Sequence, residues 1–99
     1  MNHGELQIPP AVSKDKQAIE LLRVWAAGGK QHVAIRTEIW EDPAAWGLML
    51  VDLAKHVANA YEQRTGAGLD EVLSRIREGF DMEWESPTDA PSGELLTED

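Results

Sequence analysis

GGKQHVAIRTEIWEDPAAWGLMLVDLAKHVANAYEQR, from Gly28 to Arg64, is the stretch on which the fold turns. Two glycines are followed by a segment of alternating polarity, an Asp-Pro pair and a long amphipathic helical pattern. Between Gln31 and Ile39 the period is two: Val33, Ile35, Thr37 and Ile39 point one way, His32, Ala34, Arg36 and Glu38 the other. This predicts a strand with its odd face toward a core and its even face toward water. Asp42 then offers a side-chain acceptor to free helical N–H groups, and Pro43 fixes φ where no donor is missed. A helix is expected from there to about Arg64.

On a helical projection, Trp46, Met49, Leu50, Leu53, Val57, Ala60 and Tyr61 share one apolar sector. Gly47, Val51, Ala54 and Ala58 form an adjoining sector of small side chains, so the apolar girth is wider than a single stripe. Such a helix is expected to pack on two sides, with a close neighbour along the small sector. Leu48 falls instead within the polar strip of Lys55, Asn59 and Glu62, where it has no local apolar partner.

Working outward, Ser13 or Asp15 can cap a helix running to Ala27, because Ala18, Leu21, Leu22 and Trp25 recur at helical spacing. Gly28-Gly29 then reads as its C-terminal stop. Leu6 and Ile8 suggest a short strand halted by Pro9-Pro10. Downstream, Gly66 and Gly68 break the chain, and Asp70 can cap a third helix faced by Leu69, Val72, Leu73, Ile76 and Phe80. Phe80–Trp84 satisfies both helical and strand periodicity; helix is favoured because it needs no extra turn. Ser86–Asp99 is rich in Pro, Ser, Thr and acid and is expected to be disordered.

The expected fold is therefore α+β, mainly helical, with three helices packed on a short two- or three-stranded sheet. One compact domain would span 13–85, after an N-terminal segment at 1–12 and before an acidic tail at 86–99. A lone strand leaves half its backbone groups unpaired. Its partner is expected in Leu6–Ile8, in Phe80–Trp84, or in the same strand of a second chain, which gives homodimerisation a physical motive.

Composition narrows the function classes. Ninety-nine residues suit one core, and four tryptophans (Trp25, Trp40, Trp46 and Trp84) are candidates to build it. With no cysteine, disulfides, thiolate metal sites and a cysteine nucleophile are excluded. No signal-peptide pattern opens the sequence and no apolar run is long enough to span a bilayer, so a cytoplasmic protein without a membrane role is expected. The net charge is −9, concentrated in residues 65–99, where ten acids face two bases and no Lys or Arg follows Arg77. That end repels phosphate backbones, and no basic stripe offsets it, so nucleic acid is not an expected partner.

Candidate chemistry is sparse. Asp52 and His56 lie four residues apart on the long helix and could act as an acid–imidazole pair, with His32 of the strand as a third member. The plainer interpretation is an ordinary polar pair bordering a buried face. No phosphate-binding glycine motif and no metal-ligand spacing appears, so neither cofactor nor metal is expected. Trp40, beside the helix start, is either an anchor for a protein partner or a hydrophobic clasp with Trp46. Leu48, and Leu95-Leu96 within the acidic tail, are further candidate partner-binding residues.

The segments ELLRVWAAGGKQHVAIR (Glu20–Arg36), WEDPAAWGLMLVDLAKHVANAY (Trp40–Tyr61), FDMEW (Phe80–Trp84) and SPTD (Ser86–Asp89) together resemble a family of small bacterial proteins of unknown function, found mainly in alphaproteobacteria. The resemblance runs from about Leu6 to Asp89. It implies a bacterial, cytoplasmic, single-domain protein and carries no activity or functional residue with it. The expected function is a non-enzymatic interaction or regulatory protein acting as a homodimer. The alternative is a small-molecule-binding protein or minor enzyme using His32, Asp52 and His56.

Overall fold

The computed structural model describes residues 3–88 and 90–97. In chain order the elements are α1 (Pro10–Lys14), β1 (Leu22–Ala27), β2 (Lys30–Ile35), a 3-10 turn (Thr37–Ile39), α2 (Ala44–Thr65), α3 (Leu69–Glu85) and β3 (Leu95–Thr97). The fold is α+β and mainly helical, with three helices and one three-stranded sheet. By their internal contacts the residues group into two compact units. One comprises Met1–Ile39 and Gly93–Asp99, the other Trp40–Ser92.

The first unit is built on a β-hairpin, and here the structure overturns the expected first helix. Leu22–Ala27 pairs antiparallel with Lys30–Ile35, from Leu22 opposite Ile35 to Ala27 opposite Lys30. Gly28 and Gly29 are the whole turn, with φ of 60° and 73°. Positive φ at both central residues gives the turn whose twist matches that of paired strands, and glycine reaches it without a Cβ clash. Arg36 extends the ladder by donating its N–H to the Leu21 carbonyl at 3.0 Å, and its Nε donates to the Glu20 carbonyl at 2.9 Å.

The helical spacing that misled is real but accidental. In β1 only Leu22 and Trp25 are half-buried, so burial itself recurs every third residue along this strand. Neither Ser13 nor Asp15 starts a helix: Ser13 lies inside the five-residue α1, and Asp15 ends it, donating its N–H to the Val12 carbonyl while its side chain accepts from the Gln17 N–H at 2.9 Å. Pro9-Pro10 does not end a strand at Leu6–Ile8, which has no regular structure. Pro10 opens α1, at the first helical position where proline is tolerated best.

β2 ends at Ile35, earlier than the expected Ile39, and its partners are β1 and β3 rather than any of the three anticipated ones. β3 runs parallel to β2, with Val33, Ala34 and Ile35 opposite Leu95, Leu96 and Thr97. The segment expected to be a disordered tail thus contributes the third strand.

The second unit is a pair of helices joined by a short break. Asp42 accepts the Ala44 N–H at 2.9 Å, the capping role its sequence position predicts. Gly66 ends α2 in the left-handed conformation, φ 76°, donating its N–H to the Glu62 carbonyl at 2.8 Å. α3 starts without a side-chain cap; Asp70 lies in its first turn with Glu71, where negative charge suits the helix dipole. The helix continues through Phe80 and Trp84 to Glu85, as favoured from the sequence. α2 packs on α3, and within its small sector Ala58 is fully buried and Ala54 half-buried, whereas Gly47 and Val51 stay exposed.

Candidate functional site

Two surfaces carry the features from which a function can be built, one in each unit. The first is the margin of β2 occupied by β3. His32 projects from β2 with both ring nitrogens engaged: the Glu94 N–H donates to Nδ1 at 3.0 Å, and Nε2 lies 3.1 Å from the Ala27 carbonyl. A backbone N–H can only donate and a carbonyl can only accept. The ring is therefore the neutral Nε2–H tautomer, donating to Ala27 and accepting from Glu94. Val33 donates its N–H to the Glu94 carbonyl at 2.9 Å. At Gly93, a Cβ would collide with the Gln31 carbonyl, so only glycine fits that approach.

The second surface is the exposed face of α2. Leu50, Leu53, Val57 and Tyr61 form a stripe at spacings of three and four residues, each keeping between 40% and 48% of its surface exposed. The charged residues Asp52 and Lys55 lie on the far side of the helix. On α3, Phe80 and Trp84 stack at 5.6 Å with an interplanar angle of 15°, yet Trp84 remains 78% exposed and so is no core residue.

The sequence-predicted residues are distributed between these units. Asp52 and His56 are exposed on α2, and no hydrogen bond or ion pair joins them. His32 belongs to the other unit and is committed to its two backbone partners. Trp40 sits edge-to-face on Trp46, with centroids 5.0 Å apart, and both rings are half-buried, the clasp arrangement at the helix start. Leu48 is 72% exposed, without a local partner as its strip implied. Leu95 and Leu96 are each 61% exposed on β3.

A cleft of about 640 Å³ opens in the first unit between residues 3–9 and β1, lined by Leu6, Ile8, Ile19, Val24 and Trp25 among others. None of His32, Asp52 and His56 lines it. Its guanidinium, Arg23, is held by Glu20 at 2.8 Å; that hydrogen bond first, and the carboxylate charge second, raise the Arg23 pKa above its ordinary value. Among the described residues, no three His, Asp or Glu side chains gather as a metal would require. No helix among them is long and apolar enough to cross a membrane.

What sequence reasoning missed is the β2 margin. Two β-prone runs separated by Gly-Gly were a hairpin signal available at Gly28, whereas the contact of His32 with Glu94 had no local signature.

These features define a small α+β protein with a hairpin sheet and a helical pair. The chain belongs to the family described as Domain of unknown function (DUF5076), whose profile matches residues 5–88. A solved structure provisionally named a pyruvate dehydrogenase, from the photosynthetic bacterium Rhodopseudomonas palustrus CGA009, is 39% identical with a TM-score of 0.68. The likeness covers 89% of this chain and 90% of that one. No curated protein matches the chain.

Proposed function

We propose that the protein is a non-enzymatic interaction or regulatory protein that acts as a homodimer, joined through the apolar stripe of α2. The observation that supports this is the stripe itself: Leu50, Leu53, Val57 and Tyr61 recur at helical spacing on one face of α2, and each keeps between 40% and 48% of its surface exposed.

A second copy is the occupant that suits the stripe. Leu50, Leu53 and Val57 carry no charge that would demand a different, complementary surface, and a two-fold interface needs a patch that fits itself. Two helical pairs joined along this face make a four-helix arrangement, which has the core that a single pair lacks. The original motive for dimerisation, an unpaired strand, is gone, since β2 is paired on both sides.

The setting proposed with this reading is a bacterial cytoplasm, supported by the bacterial source of the 39%-identical structure. A role with nucleic acid is set aside because of the net charge of −9. The dehydrogenase name of the neighbour is not carried over, and the alternative His/Asp pocket gains no support, since none of His32, Asp52 and His56 lines the cleft of the first unit.

Light scattering at high micromolar concentration tests the proposal. Wild type should give twice the chain mass, and Leu53→Glu with Val57→Glu should give the mass of one chain. Leu48→Glu, in the polar strip, should remain dimeric. A monomeric wild type would refute the proposal.

A further inference from the structure

We infer that His32 is a pH-sensitive latch on β3: the strand is held against β2 while the imidazole is neutral and let go when the ring takes up a second proton. The inference is independent of the homodimer, because it concerns the first unit and the joining of a chain to its own sheet.

Three observations carry it. First, the bonds of His32 fix the role of each ring nitrogen. Nε2 donates its proton to the Ala27 carbonyl, and Nδ1 accepts the Glu94 N–H at 3.0 Å. An imidazolium carries a proton on both nitrogens. Its Nδ1–H would then point at the Glu94 N–H, turning a bond into a repulsion, while the bond to Ala27 is untouched. The hairpin keeps its tie to the ring and β3 loses its own. Second, the Glu94 N–H cannot turn elsewhere while the strand stays paired. Gly93, just before it, lies so close to the Gln31 carbonyl that a Cβ would collide there, and the Glu94 carbonyl, just after it, accepts from the Val33 N–H at 2.9 Å. Third, side-chain burial does little to offset the loss. β3 is three residues long, and its Leu95 and Leu96 stay mostly exposed.

The charges around the ring set the direction of the response. The register places Arg23 and Trp25 of β1 and Lys30 of β2 on the same side of the sheet as His32. Lys30 and Arg23 oppose a further positive charge there, although Arg23 is itself tied to Glu20. His3, edge-on to Trp25 with centroids 6.4 Å apart, is a second titratable ring on that side. From β3, the Glu94 carboxylate attracts an imidazolium, but its Oε1 lies 3.9 Å from Nδ1, beyond hydrogen-bond reach, and its side chain is 78% exposed and screened by water. Histidine changes charge between about pH 5 and pH 8. The strand is therefore docked at the upper end of that range and released as the pH falls.

Hydrogen exchange followed by NMR on the full-length chain tests this, with the His32 ring titrated in the same samples through its carbon shifts. Lowering the pH from about 7.5 to about 5.5 crosses the histidine range. The protection of the Val33 amide, corrected for the intrinsic effect of pH on exchange, should fall about tenfold, the factor for one hydrogen bond of ordinary net strength. The β1–β2 ladder, α2 and α3 should keep their protection. His32→Gln offers an acceptor that does not titrate, so Val33 should be equally protected at both pH values. His3→Gln should behave as wild type. Undiminished Val33 protection with the His32 ring protonated would overturn the latch, and so would a ring still neutral at about pH 5. A pH dependence that survives His32→Gln, or that vanishes in His3→Gln, would assign the effect to another group and end the proposal. Loss of protection throughout the hairpin and both long helices would show general acid unfolding, which also overturns it.

Discussion

His32 and Asp42 show how differently single residues reveal their roles. Asp42 acts on Ala44, two positions away, so its capping could be read directly from Asp-Pro ahead of an apolar pattern. Asp42→Ala should destabilise the protein by about 1 kcal/mol in urea unfolding, the usual cost of a lost cap. His32 acts on Ala27 and on Glu94, the latter 62 positions away. Nothing local in the sequence announces that second contact, whereas an imidazole on a strand at once suggests a chemical role. His32→Phe removes both hydrogen bonds and should cost about 1–2 kcal/mol, with faster exchange of the Glu94 amide as the specific sign. Asp52→Asn and His56→Gln touch no partner among the described residues and should stay within about 0.5 kcal/mol of wild type. A larger loss at either would show that the pair has a structural or ligand role after all.

Among the elements, α2 was the most legible, because its start, length and small-residue sector are all written in consecutive residues. The sector that promised a close neighbour is buried in its second half, at Ala54 and Ala58, in a helix that packs on α3. Ala58→Leu should therefore overpack the helical pair and cost about 1–3 kcal/mol, visible as a lowered midpoint in denaturant. β1 was misread because two kinds of signal disagreed: apolar spacing favoured a helix, while Val24, Trp25 and the following glycine pair favoured a hairpin. Turn geometry won, since Gly28 and Gly29 both take positive φ. Gly29→Ala should cost about 1–2 kcal/mol in thermal or denaturant unfolding, as a Cβ is forced into left-handed backbone. Gly28→Asn should be tolerated far better, because Asn-Gly is a favoured pair for this turn.

At the scale of the whole molecule, the striped helix concerns what one chain leaves uncovered. The over-wide apolar girth of α2 was a warning of this, though not of where each part of that girth would go. If the α2 stripe joins two copies, the melting temperature should rise with protein concentration, by the ordinary mass-action coupling of association to folding. The Val57→Glu chain should melt lower and show no such dependence. The order β1-β2-β3 has a different consequence for association. With β3 seated, the sheet offers β1 on one side and only the three residues Leu95–Thr97 on the other, too short an edge to template a long partner strand. Remove β3 and the six-residue β2 becomes the second edge opposite β1, two long flanks of the kind from which fibrils lengthen.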